Sequence, residues 1–193
     1  EIGQPLHAFD LDDIKVNKLI VELAKEGEKF TTLDSVERTL TSDMLVIGNG
    51  ETTLDLAAVM GGENSEIKDT TTAIFLEGAN FAKENIRSTS KKLGLRTEAS
   101  SRFEKGIDIN LTEVAVNRAC QLIEELGCGR VVKGMVDIYP IKEEVQKLTV
   151  NPQRINNLLG VNVPIDQFTN ILESLEFKCN LISSDKLELE VPS

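Results

Sequence analysis

At 193 residues with 40% apolar content, the chain can bury one large core or a medium core and a small one. Aromatic residues reach only 4%, with no Trp and one Tyr, so Leu, Ile and Val must form that core. Charged residues make up 27% and no apolar run approaches ~18 residues, which excludes a membrane-spanning helix; a net charge of −11 excludes a general affinity for DNA or RNA across the whole surface.

Short strands and turns are predicted first. Leu19, Val21 and Leu23 alternate as in a strand, and Phe30 to Leu40 reads as a hairpin turning at Asp34-Ser35. Met44 to Ile47 is a short apolar strand closed by Gly48-Asn49-Gly50. Leu54 to Met60 leads into the Gly61-Gly62 turn, and Ala73 to Leu76 forms another strand ending at Glu77. Helical spacing then runs from Ala82 to Leu93, with Gly94 at the C-terminal cap. Asn110 and Glu113 carry the capping-box spacing ahead of a second helix, whose face holds Ala115, Ala119, Leu122, Ile123 and Leu126 and which ends at Gly127. Val131 to Ile138 returns as a strand.

Tyr139-Pro140 and the charged residues after it mark the boundary. Beyond it, Leu148 to Val150 is a strand. Asn151-Pro152 opens a helix burying Ile155, Leu158 and Leu159 and ending at Gly160. A further helix aligns Phe168, Ile171, Leu172 and Leu175. Phe177 to Leu181 and Leu187 to Val191 form a hairpin around Ser183-Ser184-Asp185. The expected fold class is α+β: a β-rich domain over 1–141, its sheet mixed or antiparallel with helices packed on it, then a partial winged-helix-like α/β unit over 145–193.

Cys120, Cys128 and Cys179 are odd in number and contain no C-x-x-C pair, and there is one His. This pattern fits reduced cytoplasmic thiols and no protein-only zinc site. The opening Glu-Ile-Gly-Gln-Pro has neither a Met nor a signal-peptide pattern and reads as the start of an excised piece. Between Lys83 and Lys105, seven bases stand against three acids. That stretch is either a solvated helix face or a landing place for a phosphate-rich strand end.

Three segments carry a family resemblance: Gly3 to Asp10 (GQPLHAFD), Val59 to Ser65 (VMGGENS) and Lys92 to Asp108 (KLGLRTEASSRFEKGID). In this order they closely resemble the bacterial phenylalanyl-tRNA synthetase beta chains. Asn151 to Glu176 resembles the opening of the domain that follows the family's editing domain, so the likeness covers nearly the whole chain. It implies part of an aminoacyl-tRNA ligase that hydrolyses tyrosine wrongly attached to the phenylalanine tRNA. The aminoacylation centre would belong to the alpha subunit of an α2β2 heterotetramer. Partners would be that subunit and the tRNA acceptor end. ATP and Mg2+ would serve the whole enzyme and no cofactor this piece. No G-x-x-x-x-G-K-[ST] loop occurs here. The family's acidic magnesium-linked stretch would lie beyond Ser193, so no metal residue is assigned.

Physical chemistry explains why such a site is needed. Tyr exceeds Phe by one hydroxyl, which an apolar pocket rejects by only about 10²-fold. A site with a buried acceptor reverses the preference, because Phe leaves that acceptor unpaired at a cost of ~1–3 kcal/mol.

Carried over by the resemblance, Glu77 is the acceptor for the tyrosine hydroxyl; an arbitrary Glu at a strand end would be solvent-exposed. His7 matches a pocket histidine that positions or hydrogen-bonds rather than acting as general base, where a lone His would otherwise be a packed core residue. The attack on the ester is assigned to a held water assisted by the substrate ribose hydroxyl. Thr97 and Ala99 match positions near the amino acid and that water. Gly61 matches a close backbone approach to substrate, and Ala57 and Ala58 a small-residue wall. Arg87, Lys91, Lys92 and Arg96 are the candidate tRNA contacts. Two departures stand out: Ala58 and Ser35 occupy positions where the family commonly has Gly. An upstream piece of the family's domain would add an Arg, a Thr and an Asn to the pocket. The competing readings are a non-catalytic scaffold that binds tRNA or the alpha subunit, and a free-standing editing hydrolase.

Overall fold

The computed structural model describes residues 2–15, 18–183 and 185–193. The chain divides into two compact units, Glu1–Val132 and Lys133–Ser193; the sequence places this division later, near Tyr139-Pro140. The fold class is α+β, and every strand pairing among the described residues is antiparallel.

The first unit opens with β1 (Leu6–Asp10), followed by β2 (Ile20–Leu23), β3 (Lys29–Thr31), β4 (Glu37–Thr39), β5 (Leu45–Gly48), β6 (Thr53–Leu56), β7 (Met60–Gly61) and β8 (Ile74–Gly78). A four-stranded sheet runs in the order β2-β5-β6-β7; β3 and β4 form a separate hairpin, and β1 pairs with β8. Strand β2 lies at a sheet edge, and Val21 and Leu23 stay more than half exposed there. The expected Leu54 to Met60 run is split by a turn in which Ala58 has φ 61°. Ser35, in the β3–β4 turn, has φ 58°. Both sequence departures from Gly therefore fall where the backbone is left-handed, a region that costs a residue with a Cβ roughly 1–2 kcal/mol.

Phe30, Leu40, Met44, Val46, Leu56, Val59, Ile86 and Phe103 form the main core. Phe9, Ile14, Ile47, Leu54 and Ala57 form a second cluster, and Phe81 packs against both.

Helix α1 (Lys83–Leu93) ends on Gly94, whose left-handed φ of 60° lets its N–H donate back to the carbonyls of Ser90 and Lys91. A short helix that the sequence pattern does not predict, α2 (Glu98–Phe103), follows immediately. Thr97 caps it in a reciprocal box with Ser100. Helix α3 (Leu111–Glu125) corrects the expected cap: Asn110 is already helical and makes no side-chain cap bond, while Asp108 accepts from its N–H at 2.9 Å. Ala115 is buried on the expected face, whereas Leu126 is 73% exposed.

Val131 to Ile138 is not a strand. No described strand pairs with this segment, so its backbone has no ladder to join, and Val136 is 81% exposed.

In the second unit β9 (Lys147–Val150), α4 (Pro152–Leu159), α5 (Ile165–Ser174), β10 (Lys178–Ser183) and β11 (Lys186–Glu190) form a sheet in the order β10-β11-β9 with two short helices. Ser184, in the expected β10–β11 turn, lies outside the described residues. Asn151 caps α4 by accepting from the Arg154 N–H, and Pro152 opens it as expected. Its buried side is different, however. Pro152 and Asn156 are covered, the latter because its amide holds both the carbonyl and the N–H of Val163, while Leu158 and Leu159 are exposed.

Candidate functional site

In an antiparallel pair, residues directly opposite share a face of the sheet. The β1–β8 register sets His7 opposite Glu77, joining two side chains that are 70 positions apart in the chain. They open into a cavity of about 310 Å3. Its wall includes Ala58 and Gly61 from the strand-turn-strand of β6 and β7, Thr97 and Ala99 from the start of α2, and Asp55 from β6.

The His7 ring lies edge-on to Phe9, their centroids 4.5 Å apart, with its other side against the bare backbone of Gly61. A Cβ at Gly61 would collide with Cε1 and stand 2.9 Å from Nε2, so any side chain there would displace the ring. The Gly61 carbonyl accepts from the Leu33 N–H, which fixes that backbone in place.

Two polar atoms here are buried and have no hydrogen-bond partner among the described residues: Nε2 of His7 and Oε2 of Glu77. Buried polar groups are almost always satisfied, and leaving one unpaired costs ~1–3 kcal/mol, so two adjacent orphans in one cavity point to a ligand. Burial, with a smaller addition from the Asp55 charge, pushes the Glu77 carboxyl up to about 8. Burial likewise pushes Asp55 up to about 7 and lowers His7 below its ordinary value. Near neutrality the imidazole is therefore neutral, and the carboxyls straddle their titration.

Of the expected site residues, His7, Glu77, Thr97, Ala58, Gly61 and Ala99 converge on this cavity. Ala57 does not: the chain reverses at Ala58, so Ala57 faces the second core cluster beside Phe9 and Leu54. Thr97 lines the cavity, but its hydroxyl donates to the Val59 carbonyl at 2.7 Å and accepts from the Ser100 N–H. That hydroxyl holds α2 against the turn instead of offering its proton to a ligand. Asp55 was missed by sequence reasoning, although a lone acid in the run Leu54-Asp55-Leu56-Ala57-Ala58-Val59-Met60 was a visible signal.

The four candidate tRNA contacts lie away from the cavity wall. Arg87 and Lys91 are exposed along α1. Lys92 pairs with Asp43 at 2.6 Å and Arg96 with Glu104 at 2.9 Å, so these two are tethered to the body.

A larger depression of about 480 Å3, beside β3 and the β5–β6 turn, holds Glu28, Glu51 and Glu63. Glu28 accepts from the Lys25 N–H and the Thr53 hydroxyl, and Glu63 from the Ser35 hydroxyl. Among the described residues it contains no orphaned buried atom. The smaller cavity is the candidate site.

Residues 1–128 match the B3/4 domain family and residues 148–193 the tRNA synthetase B5 domain. The chain is 49% identical over all its residues to a phenylalanine–tRNA ligase beta subunit from Clostridium acetobutylicum, covering 24% of that protein. It is 45% identical to the one from Geobacter metallireducens, with the same coverage. It thus spans about a quarter of the length of the curated relatives it matches. A solved N-terminal fragment of the phenylalanyl-tRNA synthetase beta subunit from Pyrococcus horikoshii aligns with 97% of this chain and 53% of its own, at 16% identity and a TM-score of 0.47.

Proposed function

Because the chain belongs to the B3/4 domain family, we propose that its cavity is the editing site of a phenylalanine–tRNA ligase beta subunit, hydrolysing tyrosine from mischarged phenylalanine tRNA. The observation that carries this reading is the facing pair of buried, unpartnered atoms, Nε2 of His7 and Oε2 of Glu77. The editing part is proposed to occupy 1–141 and the second domain 145–193.

In the proposed reaction a water oxygen bonds to the ester carbonyl carbon, and the bond from that carbon to the ribose oxygen breaks. The ribose oxygen takes a proton, which releases free tyrosine and uncharged tRNA. Glu77 receives the phenol at its buried Oε2, which phenylalanine would leave as unsatisfied as it is now. Neutral His7 positions the ester, and its burial disfavours the imidazolium a general base would have to form. Ribose assistance then supplies the proton relay. Gly61, Ala58 and Ala99 keep the wall shallow, while Thr97 acts by holding α2 to the Val59 carbonyl.

Arg87 and Lys91 are proposed to meet the tRNA backbone. The alpha subunit as partner, the cytoplasm as location, and ATP and Mg2+ as needs of the whole ligase belong to the same proposal. No residue of this chain is assigned to the metal or the nucleotide. For the second unit a binding role is proposed, favoured by the exposed Leu158 and Leu159 on α4.

The test is deacylation of Tyr-tRNA and Phe-tRNA by the complete ligase carrying Glu77→Ala. Losing the acceptor should erase about tenfold or more of the Tyr-over-Phe preference. An unchanged preference would remove the editing site from this cavity.

A further inference from the structure

Helix α2 turns one stripe of residues toward the cavity. Side chains three and four apart share a helix face, so Glu98, Ala99, Arg102 and Phe103 stand as neighbours. Glu98, Ala99 and Phe103 line the cavity, with Phe103 buried and Glu98 exposed. The stripe therefore runs from the interior out to solvent, and its exposed edge lies at the cavity mouth. Arg102 stands at that edge, its side chain half exposed.

A second part of the wall approaches it there. Pro5 lines the cavity, and two residues earlier a Cβ at Gly3 would stand 3.8 Å from Nη1 of Arg102. The guanidinium thus reaches from α2 toward the segment that leads into β1. Its hold on the protein is loose. The ion pair with Glu98 measures 3.7 Å, and the Glu98 side chain is 93% exposed. Such a pair is screened by solvent and worth little, so the guanidinium keeps donors for a ligand. Lys92 and Arg96 differ, being held at 2.6 Å and 2.9 Å by Asp43 and Glu104.

The chemistry of the proposed substrate says what reaches this place. With the phenol on Glu77 and the ester beside His7, the terminal ribose leads out through the mouth. The first charge on that strand is the phosphodiester joining the last nucleotide to the one before it. A planar guanidinium matches two oxygens of a phosphate, whereas an ammonium offers only a point charge.

Resting on the editing reading, we infer that Arg102 binds this last phosphodiester at the cavity mouth, holding the strand while its ester occupies the cavity. Glu98 gives up its loose partner when the strand arrives.

The experiment is a double-substitution cycle on the complete ligase. Tyr-tRNA with either the natural last phosphodiester or an uncharged methylphosphonate in its place is deacylated by the unsubstituted enzyme and by Arg102→Gln. Either change alone should lower kcat/KM about tenfold, and both together should lower it no further. Arg102→Lys should recover part of the loss on the natural substrate, since the charge returns without the fork. Losses that multiply would make Arg102 a prop of α2 with no phosphate contact and overturn the inference. Full activity of Arg102→Gln on the natural substrate would overturn it too. In either case, a Tyr-over-Phe preference abolished by Glu77→Ala would leave the editing reading standing. A preference that Glu77→Ala leaves unchanged would overturn both.

Discussion

The first unit carries two acidic concavities. In the larger depression beside β3, Glu28 and Glu63 are satisfied by backbone and hydroxyl donors of their own neighbourhood. In the cavity between β1, β8 and α2, Asp55 and Glu77 sit among apolar side chains, and an oxygen of Glu77 has nothing to bond among the described residues. The same residue type therefore means different things in the two places. Acidity alone marks neither as a site; desolvation without a partner does, because it leaves free energy that a matching ligand recovers.

The sharpest way to break this contrast is Gly61→Ala. The new methyl would displace the His7 ring, so Tyr-tRNA deacylation should fall by about 10²-fold while circular dichroism stays unchanged. An active Gly61→Ala enzyme would show that the ring's placement is unimportant.

Stability against pH is a second probe. Glu77 and Asp55 have folded values raised to about 8 and about 7, so the folded state holds protons that the unfolded chain releases near pH 4. The contribution of these two carboxyls to the denaturant midpoint should thus be largest at about pH 4, decline as pH rises toward about 8 and level off above. Each tenfold difference in proton affinity between the folded and unfolded carboxyl is worth ~1.4 kcal/mol, so the decline amounts to several kcal/mol. Glu77→Gln should flatten the slope, whereas Glu63→Gln in the larger depression should leave it alone. Equal slopes in both variants would erase the distinction between the two concavities.

A smaller effect is expected from Ser35→Gly, which relieves a left-handed residue bonded to Glu63 and should raise stability by about 1 kcal/mol. A fall in stability would mean that the Ser35 bond to Glu63 outweighs the strain. The smallest concerns the exposed bases: Lys91→Ala should reduce the salt slope of tRNA binding by about 1, while leaving deacylation at saturating tRNA unchanged. An unaltered slope would return α1 to a solvated face.

Much of the local architecture was legible because it is written in neighbouring residues. Gly94 and Gly160 mark the ends of α1 and α4, and Asn151-Pro152 the start of α4, through chemistry confined to one turn. The α2 helix was not, since six residues show little periodicity and its box uses Ser100 where Glu or Gln is the usual signal. Leu158 and Leu159 misled for the opposite reason: apolar spacing identifies a face but not what covers it. The pairing of His7 with Glu77 depends on a register between distant segments, which no local pattern encodes. Family likeness named both residues, although Glu77 lies outside the three quoted motifs; Asp55 was named by neither likeness nor local pattern and emerged only from its burial.

The Thr97 hydroxyl has a mechanical consequence. It fastens the first turn of α2 to the carbonyl of Val59, and Val59 adjoins the reversal at Ala58. The start of α2 and the turn at Ala58 are thereby riveted together, so a displacement of one is passed to the other. Cutting that rivet with Thr97→Val would let the two panels drift independently, blurring the chamber's outline without removing any group from it.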